Sequence, residues 1–453
     1  MAQARLDFHP ARPIFVSFEA PTLSSDGGAL LLRQLDDRLG LCAGLAGLLR
    51  DGRRQDRVVH SRLEQVRQRV YQIALGYEDQ NDADRLRGDP LLRTACDRLP
   101  EDGRGLSSQA TLSRLEHAVS AREVVLIQRW LEQVYVDTLA PSTTLVVLDV
   151  DGTSDPTHGQ QPLSFFQAHY DCSMYYPHLV FDGEGRLVSV RLRPGNAGNN
   201  RYACPMLVRI IRAIKKRCPN AQVLVRGDSG FCSPRLLAEL ERLGSELGDV
   251  EYVIGFERNP KIVREIEPFL ENVRAQAEAA SGPCRAFTSL QYQTQSWRRP
   301  RHIVVKAEHL VGKSNPRFLV TSCADLPPRL IYEVLYCQRG DAENRIKDFK
   351  RALKGDRLSC TTYVANAFRL ILHAVAYLLL DALRDRVVAL EPQKPRPQFD
   401  TLRLMLLKVG AHVTQSVRRI VVALPRSFPR ARLFTELATS ISSPPCAPPL
   451  MAA

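Results

Sequence analysis

No lysine occurs before Lys215 in this 453-residue chain, so arginine carries all the basic charge up to that point. No C-x-x-C pair occurs among the 11 cysteines, which are scattered singly from Cys42 to Cys446. That spacing argues against a zinc ribbon. An odd number of dispersed thiols also argues against a secreted disulfide framework and for a reducing, cytoplasmic setting. The first residues, Met1 to Pro13, lack the apolar core of a signal peptide. No long apolar run is free of polar groups. The most apolar one, Phe368 to Leu383, contains Arg369, His373 and Asp381, and it predicts a buried helix with no membrane partner. No internal repeat is present.

The rest of the composition is that of an ordinary globular protein, 44% hydrophobic and 25% charged, and the length suits two to four domains. Lys and Arg outnumber Asp and Glu by 62 to 49, a net charge of +13. An excess of that size suits a polyanionic partner, because phosphate contacts gain affinity by releasing counterions. A basic protein without a nucleic acid partner is the alternative on charge alone.

Periodicity divides the chain. After a short extended arm, residues 1–140 read as a small helical domain that suits DNA contact or scaffolding. Leu63, Val66, Val70 and Ile73 recur at helical spacing, and Pro141 ends a last amphipathic helix at about 120–138. Residues 141–256 change character. Buried strands are predicted at Leu145–Asp151, His178–Phe181, Arg186–Leu192, Gln222–Asp228 and Glu251–Phe256, with a turn at Asp182–Gly185 and helices at Met206–Arg217 and Leu236–Leu243. Three consecutive strands followed by alternating helices and strands predict an α/β, RNase-H-like mixed-sheet core. Residues 257–325 form a β-rich insertion. Residues 326–390 return to the core as a long helical region from about Tyr332 to Arg386. Residues 391–453 start with a Pro-rich linker, continue as a helix and a strand over 400–424, and end in a tail from Ser442 expected to be disordered.

The predicted strands place acids where two-metal phosphodiester chemistry needs them. Such chemistry gathers carboxylates around two hard cations, Mg²⁺ or Mn²⁺, roughly 3.5–4 Å apart. Asp151 ends the first strand and Asp228 the fourth. Asp149 lies on the same face as Asp151, because side chains alternate along a strand, so it competes for the role of first ligand. A lone strand-end Asp is more often a cap or turn residue, and only convergence makes a site. The third acid is Glu343. At about 100° per helical residue, Tyr336, Arg339, Lys347 and Lys350 all fall within roughly 40° of it. That face is either solvated and charged or a carboxylate set among phosphate-gripping cations. Ile346, Phe349 and Leu353 fall on an adjacent face that can dock on the sheet.

The spacing Tyr336-(2)-Arg339-(3)-Glu343-(6)-Lys350 resembles the Y-R-E-K signature of cut-and-paste DDE transposases of insertion sequences. Leu148–Thr153, Leu192–Gly195, Arg226–Phe231, Gly76–Asp82, Leu86–Pro90 and Ser108–Glu116 are similar to one branch, the transposase DDE domain group 1. The resemblance covers roughly residues 10–435. It implies catalytic and metal-binding roles for Asp151, Asp228 and Glu343, and two bound Mg²⁺ or Mn²⁺ ions. It also implies cleavage at terminal inverted repeats and joining of 3′ ends to target DNA. The partners implied are double-stranded DNA and a second copy in a synaptic homodimer, in a bacterial cytoplasm at the nucleoid. Relatives that form hairpin ends stack an insertion aromatic on a flipped base. Trp297, beside Arg298, Arg299 and Arg301, is the candidate here, the alternative being a core Trp.

Other residues carry weaker signals. His158 can approach DNA or metal, or be a loop residue. His169, Tyr170, Tyr175 and Tyr176 can stack on bases or fill the core, and Lys215–Arg217 can touch phosphate or end a solvated helix. A rival reading takes Asp149-Val-Asp151-Gly-Thr153 as the first motif of a HAD-type phosphatase, with Asp149 as nucleophile. That motif should lead into βα units, and here strands follow. A DNA-binding protein without catalysis is a third reading.

Overall fold

The structure, a computed structural model, describes residues 4–6, 12, 14–16, 22–101, 103–198, 200–310 and 313–442. The tail from Ser443 onward and most of the N-terminal arm lie outside the described residues. Within them, the chain divides into two compact units, one of residues 1–119 with 375–453 and one of residues 120–374.

The second unit is built on a mixed sheet. Its strands are β1 (Leu145–Gly152), β2 (His178–Asp182), β3 (Leu187–Arg191), β4 (Gln222–Gly227), β5 (Val250–Phe256), β6 (Cys284–Tyr292), β7 (Arg301–Leu310) and β8 (Arg317–Thr321). They lie in the order β6-β7-β8-β5-β4-β1-β2-β3, and a two-residue strand at Lys313–Ser314 pairs with β7. Strands β1, β4 and β5 are mutually parallel, while β2, β3, β6, β7 and β8 pair antiparallel with their neighbours. Every strand expected from the sequence is present. The insertion strands did not form a separate body. They extend the same sheet, because β8 pairs with β5 through Val253–Phe256.

Alternation along each strand feeds both faces. Val223 and Val225 join a large apolar cluster with Val146, Leu148 and Val150. Helices α2 (Ala203–Arg217) and α3 (Pro234–Leu247) complete that cluster with Ile210, Ile211, Leu236 and Leu240. Leu224 faces the other way, into a smaller cluster with Val253, Val304, Leu319 and Ile331. Helix α1 (Ala121–Thr138) opens with a Ser120–Glu123 capping box and belongs to this unit. Its Glu132 accepts from Ser189 Oγ on β3 at 2.9 Å and from Arg209 on α2 at 2.6 Å.

The insertion also contains a helix, α4 (Glu267–Ala279), absent from the β-rich expectation. The long helical region after residue 326 is broken. Turns from Pro328 to Arg339 lead into α5 (Gly340–Lys347), which continues in a wide turn to Ala352, and α6 (Tyr363–Leu390) starts anew. Lys354 adopts φ +52°, and Gly355 sits so close to Phe349 that a Cβ there would lie 2.1 Å from the ring. Helix α6 is long and apolar enough to cross a membrane, but 83% of its most apolar window is buried inside the fold.

The first unit is mostly helical and draws on both ends of the chain. Helices Ala29–Leu39, Arg62–Leu75 and Gln109–His117 share it with a small sheet in which Ala411–Gln415 lies between Leu23–Ser24 and Ile420–Ala423. The amide of Gly27 donates to Val409 O at 2.8 Å and that of Gly28 to Leu407 O at 3.1 Å. Buried Arg69 and Glu116 pair at 3.0 Å, tying two helices together.

Candidate active site

A parallel pair of strands sets two acids side by side. Gly227 on β4 is in register with Val150 on β1, so one residue further on Asp228 comes opposite Asp151. Both acids leave the sheet at the same end and line a cavity of about 660 Å³. Glu343, exposed on α5, lines the same cavity, as do Arg339, Lys347 and Lys350. The residues brought together from three distant segments therefore include all three acids expected from the sequence. Arg351, Lys354 and Asp356 complete the charged wall, and Gly152, Tyr170 and Tyr176 form another side. Sequence reasoning missed Arg351, Lys354 and Asp356. Their signal was the Lys354-Gly355-Asp356 turn that ends the helical region.

The register also separates Asp149 from Asp151. Arg226 on β4 faces Asp149 directly and binds both its carboxylate oxygens at 2.6 Å. The same guanidinium donates to Leu335 O at 2.8 Å. Both side chains are almost wholly buried, so Asp149 is spent on an internal ion pair and does not line the cavity. That pair also removes the group a HAD-type phosphatase would use as nucleophile, and antiparallel β2 replaces the βα unit such a motif requires.

Asp151 accepts from the Gly152 amide at 2.8 Å and from Arg339 Nη1 at 3.1 Å. Burial pushes its carboxyl up to about 6, with Arg339 pulling it down and Asp228 pushing it up. Oδ1 of Asp228 is buried without a hydrogen-bond partner. An acceptor left in that state costs free energy unless a donor or cation reaches it. Among the described residues, no three His, Cys, Asp or Glu side chains are gathered closely enough to hold a metal ion as they stand. The acids share a cavity, with the Arg339 cation lodged on one of them.

The flanking groups are held firmly. Lys350 Nζ donates to Ser154 O at 2.6 Å and lies 3.5 Å from Asp356. Behind it, Asp155 is fully buried with neither carboxylate oxygen hydrogen-bonded, and burial pushes that carboxyl well above the usual range. Tyr336 does not line the cavity. Its ring packs 5.9 Å from that of Tyr332, with the Arg339 guanidinium 5.8 Å away. Ile346, Phe349 and Leu353 are buried, as the helical spacing predicts.

Trp297 lies apart from the acidic cavity. It is 5% exposed, between Phe256 and Tyr292, with Arg301 over its ring at 4.9 Å. Trp297 nevertheless lines a second cavity, of about 490 Å³, and that cavity does not contain the three acids. Arg298, Arg299 and Arg235 line that second cavity with it. His158 is exposed and outside the acidic cavity, while Tyr175 is buried and donates to Pro162 O at 2.9 Å.

A sequence model of one family, the transposase DDE domain group 1, matches residues 7–446. The chain belongs to that family. This is a transposase family, and the matched residues include every acid and cation of the cavity. No curated protein matches the sequence. Among solved structures, the piggyBac transposase synaptic complex with hairpin DNA is similar at 13% identity. That match covers 93% of this chain and 86% of the other, with a TM-score of 0.41.

Proposed function

We propose that this chain is the DNA transposase of an insertion sequence, cutting at terminal inverted repeats and joining the freed 3′ ends to target DNA. The observation that carries this reading is one cavity holding Asp151, Asp228 and Glu343 among five cationic side chains, in a chain of a DDE transposase family. The strand order β3-β2-β1-β4-β5, with β1 and β4 parallel, supports an RNase-H-like core.

The donors present fit a divalent metal. They are hard carboxylate oxygens, one of them buried and unpartnered at Asp228. Asp151, Asp228 and Glu343 would hold two Mg²⁺ or Mn²⁺ ions. When bound, such ions activate the attacking oxygen and stabilise the leaving one. For that, Arg339 must release Asp151. Its guanidinium, freed beside the cavity, would then meet a DNA phosphate together with Lys347, Lys350 and Lys354. Water would attack first and the resulting 3′-hydroxyl second, each in line with the departing oxygen, without a covalent enzyme intermediate. Holding two ends at once calls for a dimer on DNA, with the helical first unit gripping the duplex away from the cut.

The test is Mg²⁺-dependent cleavage of a labelled duplex taken from the DNA flanking this coding sequence. Asp151→Ala, Asp228→Ala and Glu343→Ala should each abolish cutting while leaving duplex binding intact. Full cleavage by the Asp228 or Glu343 variant would overturn the assignment. Release of phosphate from a small ester without DNA would revive the phosphatase reading.

A further inference from the structure

We infer that Tyr170 and Tyr176 form a clamp for one unpaired base of the DNA strand being cut, a role that rests on the transposase reading. Both rings line the cavity that holds Asp151, Asp228 and Glu343. Their centroids are 6.2 Å apart and their planes tilted by 46°. A base sandwiched between two rings needs about 7 Å, twice the roughly 3.4 Å rise of stacked bases. To form that slot, one ring must move outward slightly and turn through the 46° between the planes so that the two walls become parallel.

The two walls of the slot differ in freedom. Tyr176 is fixed. The Arg193 guanidinium covers its ring at 4.9 Å, and Arg193 Nε donates to its carbonyl at 2.8 Å. Gly152, next to the first acid, lies so close that an added Cβ would stand 2.9 Å from the ring. Tyr170 is 42% exposed and follows His169, whose ring meets it edge-on at 4.8 Å. It sits at the tip of a hairpin between short strands Phe165–Gln167 and Cys172–Tyr175, and Asp171 turns the chain there with φ +51°. One wall is braced against the catalytic strand and the other can move into solvent.

The surroundings favour a nucleobase. Besides its acids, the cavity carries Arg339, Lys347, Lys350, Arg351 and Lys354, which suit the phosphates on either side of a displaced nucleotide. Stacking tolerates any base, since each presents a π-face, and is worth roughly tenfold in affinity or more per base. Trp297, in contrast, lines a different cavity from the three acids.

The experiment places 5-iodouracil at each nucleotide flanking the cut in the labelled duplex, irradiates the complex with full-length protein, and maps the adduct by mass spectrometry. The expected adduct is on Tyr170 or Tyr176 at one flanking position. Tyr170→Ala should lose it and cut roughly tenfold more slowly. Tyr170→Trp should restore both, and Tyr170→Phe should retain both, because the ring and not the hydroxyl does the work. Normal cutting by Tyr170→Ala, or an adduct that maps only elsewhere, overturns the clamp. So does an unchanged adduct with loss of the paired complex, which would make the hairpin a contact between copies. A wild-type protein that neither binds nor cuts the duplex would instead bring down the transposase reading.

Discussion

Asp149 and Asp151 are two residues apart, yet their surroundings assign them opposite work. Asp149 faces Arg226 in the dry interior, so Asp149→Ala leaves a buried guanidinium without its partner. That should cost about 3–5 kcal/mol of stability, measured as a lowered urea midpoint, and activity should fall through lost fold. Asp151→Ala should unfold at a near-normal midpoint and still fail to cut. Equal destabilisation by the two would refute this division. The alternation of a strand puts both acids on one face, so the sequence left them as rivals. What separates them is a cross-strand partner 77 positions away, which no local pattern reveals. Arg339 carries a second prediction. It occupies Asp151 at 3.1 Å with both side chains mostly buried, so it competes with any cation for that carboxylate. In the absence of DNA, Arg339→Ala should bind Mn²⁺ roughly fivefold more tightly by calorimetry. An unchanged Kd would mean that the ion pair does not compete.

At the level of elements, the sequence was most legible where local chemistry decides. Alternating apolar strands, the Asp182–Gly185 turn and the apolar face of α5 all appear where periodicity put them. It was least legible where contact between segments decides. The break before α6 follows from Gly355 lying against Phe349, a packing event invisible to periodicity. Gly355→Val would drive a branched side chain into that ring, which should cost about 1–3 kcal/mol and displace the turn bearing Lys350. Cutting should then fall further than duplex binding, and a fully active variant would show that the turn tolerates repacking. The turn between β2 and β3 makes a pH prediction. Asp182 accepts from the amides of Glu184 and Arg186, but burial dominates and pushes its carboxyl up to about 6. A group whose folded value lies above its unfolded value near 3.9 takes up a proton on folding. Stability from this group is thus highest at low pH and falls as pH rises through about 4 to 6. Asp182→Asn cannot titrate, so the difference in unfolding free energy between variant and wild type should change across that window and be flat above it.

For the molecule as a whole, segments that are linear neighbours are not always structural ones. The sequence suggested separate domains at 1–140 and 391–453, yet residues 1–119 and 375–453 form one unit, and α1 belongs with the sheet. Pairing of Gly27 with Val409 is the kind of long-range contact that sets such a boundary. The charge balance, in contrast, was readable from composition and bears directly on how the protein would bind. With a net charge of +13 and Arg339, Lys347, Lys350, Arg351 and Lys354 around one cavity, most of the affinity for duplex DNA should come from released counterions. The logarithm of the association constant should fall linearly with that of salt concentration, by about 0.9 per phosphate contacted. Lys347→Gln with Lys354→Gln removes two of those contacts and should reduce the slope by roughly two, whatever the sequence of the duplex. Asp228→Asn removes a negative charge from the same cavity, so it should bind at least as tightly as wild type at every salt concentration while failing to cut. Anisotropy titrations over a range of salt separate the two effects. If the double lysine variant kept the wild-type slope, the phosphates would be held elsewhere and this cavity would not be where the DNA backbone runs.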